Sequence, residues 1–362
     1  MSGEAVVGLP ARSVAGVAVG GLPRPGRRAV LVLASGGVLA ATLLLGVLVG
    51  PAGLTPAGVL TSLAGALPGV AVTPTLTEPQ QAILWQIRLP RVVLGALVGA
   101  MLALAGAAYQ GVFRNPLADP YLLGVSSGAG LGATLAIVSG GVLAGLGLPV
   151  VAFVGGLVGV AATYALGASV GQGARSSVVI VLAGVAVAAF LNAIQTFVQQ
   201  RYDETLRSVY SWLLGRLSTQ GWAEVLTVLP YVVLASVVIL LHRRVLDVMA
   251  VGDTEARSLG VDAGRTRLVL VLAATLGTAA VVSVSGLIGF VGIVVPHAVR
   301  LLFGGSHRVL LPVSMLLGAA FLVGADVLAR TVLSPSELPI GVVTALVGAP
   351  FFVVVLRRAR FS

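Results

Sequence analysis

Long apolar runs separated by short polar gaps fill the chain between Ala29 and Leu356. A helix needs about 20 apolar residues to cross the hydrocarbon core of a bilayer. Measured against that length, the runs predict membrane-spanning helices at 29–49, 92–113, a pair within 121–174, 176–200, 225–241, a pair within 268–299, 309–325 and 338–356. The pattern therefore predicts an all-α, polytopic membrane protein with ten transmembrane helices.

The stretch between Arg267 and Arg300 is the ambiguous one, because it is long for one span and short for two. Short cytoplasmic loops are enriched in basic residues, so arginine placement decides between the two readings. A pair of short spans that turns near Val282–Gly286 keeps most arginines on the side of the N-terminus. Six then remain on the outer side: Arg88, Arg91, Arg201, Arg207, Arg216 and Arg330.

The enrichment of arginine in cytoplasmic loops also places both termini in the cytoplasm. We expect residues 1–28 to be a flexible cytoplasmic tail and 29–358 to be the membrane domain, with an uncleaved first span. Four prolines interrupt 50–88, which predicts an outer loop with one short surface helix at Pro56–Ala66. The 121–174 run is expected to divide at Ser139–Gly147.

The amino-acid composition excludes several classes of protein. The chain is 57% hydrophobic and 9% charged, whereas soluble domains carry about 25% charged residues, so a water-soluble globule is excluded. The net charge of +10 comes from arginines in loops and tails, where it reports membrane orientation rather than nucleic-acid binding. Cysteine is absent, which excludes disulfides and iron–sulfur clusters. Lysine is also absent, so the chain has no P-loop and an ATPase would have to be another subunit.

Several segments, in order along the chain, resemble one transport family. They are Arg88–Arg91, Gln110–Pro120, Leu123–Gly128, Ala183–Val185 with Asn192, Trp212–Gly215, Gly252–Val261, Gly286–Arg300, His307–Pro312, Glu337–Gly341, Thr344–Ala345 and Gly348–Phe351. On these residues the chain resembles the permease subunit of bacterial ABC importers for ferric siderophores, haem or vitamin B12, the FecCD-type family.

The resemblance implies the fold and the partners. The fold would be that of a type II ABC importer permease in the bacterial inner membrane, dimerised with a second permease copy, either identical or different. A pair of ATPase subunits would bind ATP and Mg²⁺ below, and a periplasmic or lipid-anchored binding protein would dock above. This chain itself would bind no cofactor and would not be an enzyme. Ferric siderophore is the first choice of substrate, and haem and cobalamin remain open.

The charged loop 242–267 is the expected ATPase contact. Asp253 or Thr254 is expected to cap a short helix that runs to Leu259, with Gly260 as its stop. The resemblance implies two short coupling helices in this loop. It assigns the contact to seven residues of this loop: Asp253, Glu255, Ala256, Arg257, Ser258, Leu259 and Gly260. The alternative is an ordinary charged cytoplasmic loop.

The resemblance assigns Arg88, Arg91 and Arg330 on the outer face to docking of the binding protein. An arginine fork suits carboxylate partners, although snorkelling towards the interface would also explain such residues. Asp326 lies four residues before Arg330, so the two are expected to form a structural pair on one helix that orients Arg330. A proton-carrying role for Asp326 is the alternative.

Asn192, Gln195 and Gln199 share one helix face and are candidates for the translocation path, with interhelical hydrogen bonding as the alternative. The Asn115–Pro120 segment predicts a rigid cytoplasmic turn in which Asn115 and Asp119 cap helix ends.

Other signals point away from different functions. Gly128–Ala133 matches a dinucleotide-binding pattern, but it lies within a predicted span, where small residues pack helices. The histidines lack metal-ligand spacing, no metal site is expected, and His297 is interpreted as a packing residue. An ion-coupled secondary transporter remains the alternative function, but such proteins usually hold acids at the membrane midplane, and here only Asp326 comes near a span. An intramembrane enzyme would need a nucleophile and base arrangement that the sequence does not suggest.

Overall fold

The computed structural model describes residues 25–70, 72–140, 143–169, 177–218 and 221–359, and within these ranges it contains helices and no strand. The predicted tail therefore lies almost entirely outside the described residues. The all-α prediction is confirmed for the described part of the chain.

Fifteen α-helices are described within these ranges, and they are numbered in chain order. They are α1 Pro25–Leu48, α2 Pro56–Gly65, α3 Glu78–Ile83, α4 Leu89–Phe113, α5 Val125–Val138, α6 Leu148–Ser169, α7 Ser177–Arg201, α8 Leu206–Leu213, α9 Ala223–Leu241, α10 Arg243–Met249, α11 Asp253–Ser258, α12 Ala263–Ser285, α13 Val291–Phe303, α14 His307–Thr331 and α15 Ile340–Ala359. The predicted surface helix after Pro56 is present as α2, and Thr55 caps it.

Within the described ranges, seven helices are long and apolar enough to cross a membrane. They are α1, the continuous helix formed by α3 and α4, and α6, α7, α9, α12 and α14. Three shorter apolar helices are α5, α13 and the Ile340–Val355 part of α15. These ten elements coincide with the ten predicted spans, while the number of true crossings stays a prediction.

The second span begins earlier than predicted. We expected residues up to 88 to be loop, but one helix runs from Glu78 to Phe113. Thr77 starts it, because its backbone N–H donates to Gln80 Oε1 at 3.1 Å in a capping box. A π-helical turn at Leu84–Arg88 precedes Pro90, which has no N–H to donate, and the wider turn accommodates the proline ring.

The 268–299 region differs from the predicted pair of short spans. α12 is a full 23 residues, the break lies at 286–290 rather than 282–286, and α13 has only 13 residues. Gly286 has φ +70°, which favours glycine, and Ser285 O accepts the Arg216 N–H at 2.7 Å at this point. The reversal of direction itself is confirmed, because Arg267 at the start of α12 and His307 after α13 bind carboxylates of neighbouring helices α11 and α10.

α4 forms the centre of the bundle and packs against α9, α12, α13 and α14. Its glycines permit close approach: a Cβ atom on Gly99 or Gly106 would overlap the backbone of Gly318 or Gly292. Gly128 meets Gly155 in the same way where α5 packs on α6, so the glycine pattern at 128–133 packs helices, as predicted.

Candidate functional site: two polar faces

Polar side chains gather at opposite ends of the bundle. One end, here the Asp253 face, contains α10, α11, Arg114 and the starts of α12 and α14. The other, here the Arg91 face, contains Arg91, the end of α14 and α8. α4 joins the two faces, and its 25 residues at about 1.5 Å per residue match the thickness of a membrane.

Helix α11 on the Asp253 face ends as predicted. Gly260 has φ +79°, and its N–H donates to Arg257 O at 2.9 Å. The Val261 N–H donates to Ala256 O, also at 2.9 Å. These two bonds form a Schellman motif, in which a left-handed glycine terminates the helix.

The start of α11 differs from the prediction. Neither Asp253 nor Thr254 caps the helix; Gly252 occupies the cap position, without a side-chain hydrogen bond. The Asp253 carboxylate instead accepts from Arg114 at 2.6 Å and from Arg267 at 3.2 Å. Charged donors from α4 and α12 form stronger hydrogen bonds than a backbone amide, so the carboxylate turns towards them.

The residues predicted to contact the ATPase differ in how far they are exposed. Ala256 is fully buried and seats α11 on the bundle, and Asp253 is partly exposed. The remaining members are exposed: Glu255, Arg257, Ser258, Leu259 and Gly260. Val251 at 72% and Leu259 at 69% are exposed apolar side chains at either side of α11. The helix thus has a fixed inner side and a free outer side that includes apolar groups.

Asp247 fixes α10 to α14. Its carboxylate accepts from the His307 N–H at 2.6 Å and from Ser306 Oγ at 3.1 Å, and lies 3.0 Å from His307 Nδ1 and 3.4 Å from Arg308 Nε. Burial favours the neutral acid, but the hydrogen bonds from His307 and Ser306 outweigh it and lower the pKa of Asp247 below its ordinary value. This role of Asp247 was not predicted from the sequence, because its partner His307 is 60 positions away.

On the Arg91 face, one guanidinium joins two carboxylates. Arg91 donates to Asp326 Oδ1 through Nε at 3.0 Å and Nη2 at 2.8 Å, and to Glu337 Oε1 and Oε2 at 2.9 Å. The Asp326 side chain is 2% exposed and the Glu337 side chain 46%. The predicted pair of Asp326 with Arg330 is present at 3.4 Å, but Asp326 binds Arg91 more closely.

Arg88 and Arg330 are buried, with 4% and 3% of their surface exposed. Arg88 Nη1 donates to Val47 O at 3.0 Å, and Arg330 Nη2 donates to Gly46 O. These carbonyls belong to the last turn of α1, where helix carbonyls lack intrahelical partners and a cation is favourable. The two arginines therefore hold the end of α1.

The residues predicted for the translocation path differ in burial. On α7, Gln195 and Gln199 are buried and Asn192 is exposed, and the Gln195 amide lies against Gly130 of α5. In the Asn115–Pro120 turn, Asp119 caps the short helical turn after it by accepting from the Tyr121 N–H at 2.8 Å. The predicted helix-capping role of Asn115 is wrong: its side chain accepts from the Leu117 N–H at 2.9 Å within the turn.

His297 packs against aromatic rings, as interpreted, with the Phe351 ring 6.0 Å away. Among the described residues, no group of three His, Cys, Asp or Glu side chains lies close enough to hold a metal ion.

Comparison with known proteins assigns the family. The FecCD transport family matches residues 38–358. The chain belongs to that family. It is 45% identical over 303 residues to a cobalamin import system permease protein of Halobacterium salinarum, covering 82% of this chain and 81% of the relative. It is 40% identical over 278 residues to an Fe(3+) dicitrate transport system permease protein of Escherichia coli, covering 77% and 86%.

The fold agrees with this assignment. A solved structure described as an inward-facing conformation of a metal-chelate type ABC transporter superposes with a TM-score of 0.79 at 31% identity, covering 91% of this chain and 99% of that one. This FecCD permease is therefore a multi-pass membrane protein with an ABC transporter permease fold, as the sequence predicted.

Proposed function

We propose that this FecCD permease is the membrane subunit of an ATP-driven importer that moves a metal chelate across the bacterial inner membrane. The Asp253 face would lie in the cytoplasm with both termini, because the loop arginines concentrate on that side. ATP and Mg²⁺ would bind to partner ATPase subunits. Relatives named for cobalamin, haemin and Fe(3+) dicitrate transport support a chelate as the substrate class.

The observation that carries the proposal is the attachment of α10 and α11 to the core. Asp253 ties α11 to α4 and α12, and Asp247 ties α10 to α14. Because α4 and α14 pack closely together, a force applied to this unit would move these helices as one rigid body. The exposed Val251 and Leu259 give an ATPase an apolar surface to contact. The coupling contact would be formed by the residues already assigned to it: Asp253, Glu255, Ala256, Arg257, Ser258, Leu259 and Gly260.

The Arg91 face would receive the substrate-binding protein. Arg91 is the member of the predicted arginine trio that reaches the surface, with its side chain 14% exposed. Glu337 occupies part of its fork, so a docking carboxylate would displace Glu337 while Asp326 stays bound. Arg88 and Arg330 would support docking by fixing the adjacent end of α1.

The path would form between this chain and a second permease copy. α7 displays exposed apolar residues, among them Leu182, Phe190 and Phe197, on a face that a second copy or lipid must cover. Asn192 is exposed next to the buried Gln195 and Gln199, which suits a weakly polar lining. Ferric siderophore is the first substrate to test, followed by haem and cobalamin.

Affinity purification of the chain from native membranes in mild detergent, with mass spectrometry of the bound proteins, tests the proposal. A P-loop ATPase in equal amount, and ATP-dependent uptake of radiolabelled ferric citrate, haemin or cyanocobalamin by proteoliposomes of that complex, are the expected results. If the chain purifies alone and transports without ATP, the importer assignment is wrong and the ion-coupled alternative replaces it.

A further inference from the structure

Arg207 and Arg216 lie on the Arg91 face and belong to neither the docking contact nor the coupling contact described above. Both are exposed, and neither side chain has a hydrogen-bond or ion-pair partner within the described residues. Asp203 and Glu204 precede α8 but form no ion pair with Arg207. Arg91, by contrast, is bound by two carboxylates and Arg330 is buried. Arg207 and Arg216 are therefore available to a ligand, as Arg91 and Arg330 are not.

The two arginines open onto one concave pocket. The pocket has a volume of about 350 Å³ and lies between α8 and the facing ends of α5 and α6. Its apolar walls are Ile137 and Leu148. Its polar lining is Arg207, Ser208, Ser211, Trp212 and Arg216. Apolar walls with a few convergent polar groups are typical of small-molecule sites.

The local structure explains why these donors meet. Within α8, Val209 and Trp212 are buried, whereas Arg207, Ser208 and Ser211 are exposed. Trp212 follows Ser208 by four residues, so it lies beside Ser208 at the edge of the exposed side. Arg216 follows the end of α8 and is held in place because its backbone N–H donates to Ser285 O. The positions of the donors are thus set by the packing of α8 and α12, before any ligand arrives.

Trp212 adds an unpartnered donor to this pocket. It is 3% exposed and lines the pocket, and its Nε1 has no hydrogen-bond partner in the part of the chain that the structure describes. A buried N–H without an acceptor is unfavourable, so an acceptor bound in the pocket would be stabilised. Every polar group of the lining can donate a hydrogen bond, and no carboxylate lines the pocket.

We propose that Arg207, Arg216, Ser208, Ser211 and Trp212 form a binding site for a carboxylate group of the transported chelate. The proposal rests on the proposed importer function and specifies its substrate as a carboxylate-bearing chelate rather than a neutral one. The pocket holds one arm of such a chelate. On the other side of α8, Leu213 and Leu214 line an apolar groove of about 620 Å³ with Phe290 and Leu346, so α8 separates the polar site from an apolar surface.

Citrate binding tests the site directly. The complete complex in nanodiscs of phosphatidylcholine is titrated with radiolabelled citrate, first as wild type and then as the double variant Arg207→Gln/Arg216→Gln. We expect the double variant to bind at least about tenfold more weakly, because two charge-assisted contacts are lost. Trp212→Phe removes one neutral donor, and we expect binding about threefold weaker. Arg201→Gln is the matched control, since Arg201 is exposed on the same side but does not line the pocket.

The outcomes separate the site from the importer function. Absent citrate binding, or equal loss in the Arg201→Gln control, overturns the site. Loss of citrate binding when phosphatidylglycerol is included in the nanodiscs would assign the pocket to a lipid headgroup and also overturn it. If ATP-dependent ferric citrate uptake proceeds with an unchanged KM in the double variant, the site is wrong and the importer stands. If citrate binds as expected but no chelate is taken up with ATP, the importer proposal fails and the anion site remains.

Discussion

The Asp253 face and the Arg91 face both contain arginine–carboxylate contacts, but they place them at different depths. Asp253 and Arg114 have side chains 33% and 42% exposed, and they hold a helix whose outer side is free. Asp326 and Arg330 are 2% and 3% exposed, and with Arg91 they lock α4, α14 and the end of α1 together. The first arrangement suits an element that a partner contacts, and the second suits a fixed frame.

The comparison also changes how the outer arginines are understood. Arginines on the non-cytoplasmic side of a membrane protein need a specific reason. The structure provides two different reasons: Arg88 and Arg330 satisfy carbonyls of α1, whereas Arg207 and Arg216 line a pocket without partners. Under our proposal, the buried arginines of this face support the fold and the exposed ones bind a ligand.

The largest loss of folding stability is expected from Arg91→Ala, because this change leaves the buried Asp326 carboxylate with Arg330 as its only ion-pair partner among the described residues. Removing one partner of a buried ion pair costs about 3–5 kcal/mol. Thermal unfolding of the purified complex in detergent should show this loss. Glu337→Gln is the control: Glu337 is 46% exposed, and its loss should cost less than about 1 kcal/mol.

Asp326→Asn also tests the buried ion pair, and it distinguishes ATP-driven transport from ion-coupled transport. We expect a stability loss near the lower end of that range, about 3 kcal/mol, since Arg91 keeps Glu337. ATP-driven uptake per folded complex should persist. Abolished uptake in a complex that is still folded would contradict the structural role and favour ion coupling through Asp326.

On the Asp253 face, Leu259→Asp should affect transport rather than folding. Leu259 is 69% exposed, so the stability of the isolated permease should change by less than about 0.5 kcal/mol. Loss of an apolar interface contact should reduce ATP-dependent uptake about tenfold, as measured in proteoliposomes. Leu67→Asp is a matched control, exposed by 59% near α2. Equal losses in both variants would refute the coupling role.

Gly260→Ala should destabilise the end of α11 locally. A Cβ at this position meets nothing within 4 Å, so the cost comes from the left-handed φ of +79° alone. That conformation costs a non-glycine residue about 1–2 kcal/mol. The end of α11 should fray, which hydrogen exchange would detect. Gly264→Ala, at a helical position in the first turn of α12, should leave exchange in α11 unchanged.

Among the substitutions that remove an ion pair, Asp253→Asn should lower global stability the least. Its carboxylate is one-third exposed and the Arg114 side chain more so, and solvent screening reduces such pairs to about 1 kcal/mol or less. The contrast with Arg91→Ala, measured by the same thermal unfolding, tests the difference between the two faces. Equal losses of stability in the two variants would mean that the ion pairs of both faces hold the fold together to the same extent.

Local signals along the chain account for much of the fold. Hydropathy located the ten apolar helices, and arginine placement correctly predicted that the chain reverses between Arg267 and Arg300. Gly260 was recognised as the end of α11 because a left-handed glycine is a local requirement. The start of the second span at Glu78 was missed, since Pro90 and Arg88 look like a helix boundary unless a π turn precedes them.

The sequence by itself determined that the protein is an all-helical membrane permease of the FecCD type, because apolar length, composition and ordered motifs are properties of neighbouring residues. Only the tertiary structure decided what each charge does. Arg91 meets Asp326 across 235 positions, and Asp247 meets His307 across 60. Such partners depend on which helices lie side by side. In a membrane that choice comes from the close fit of small residues such as Gly99 and Gly106, which hydropathy does not register.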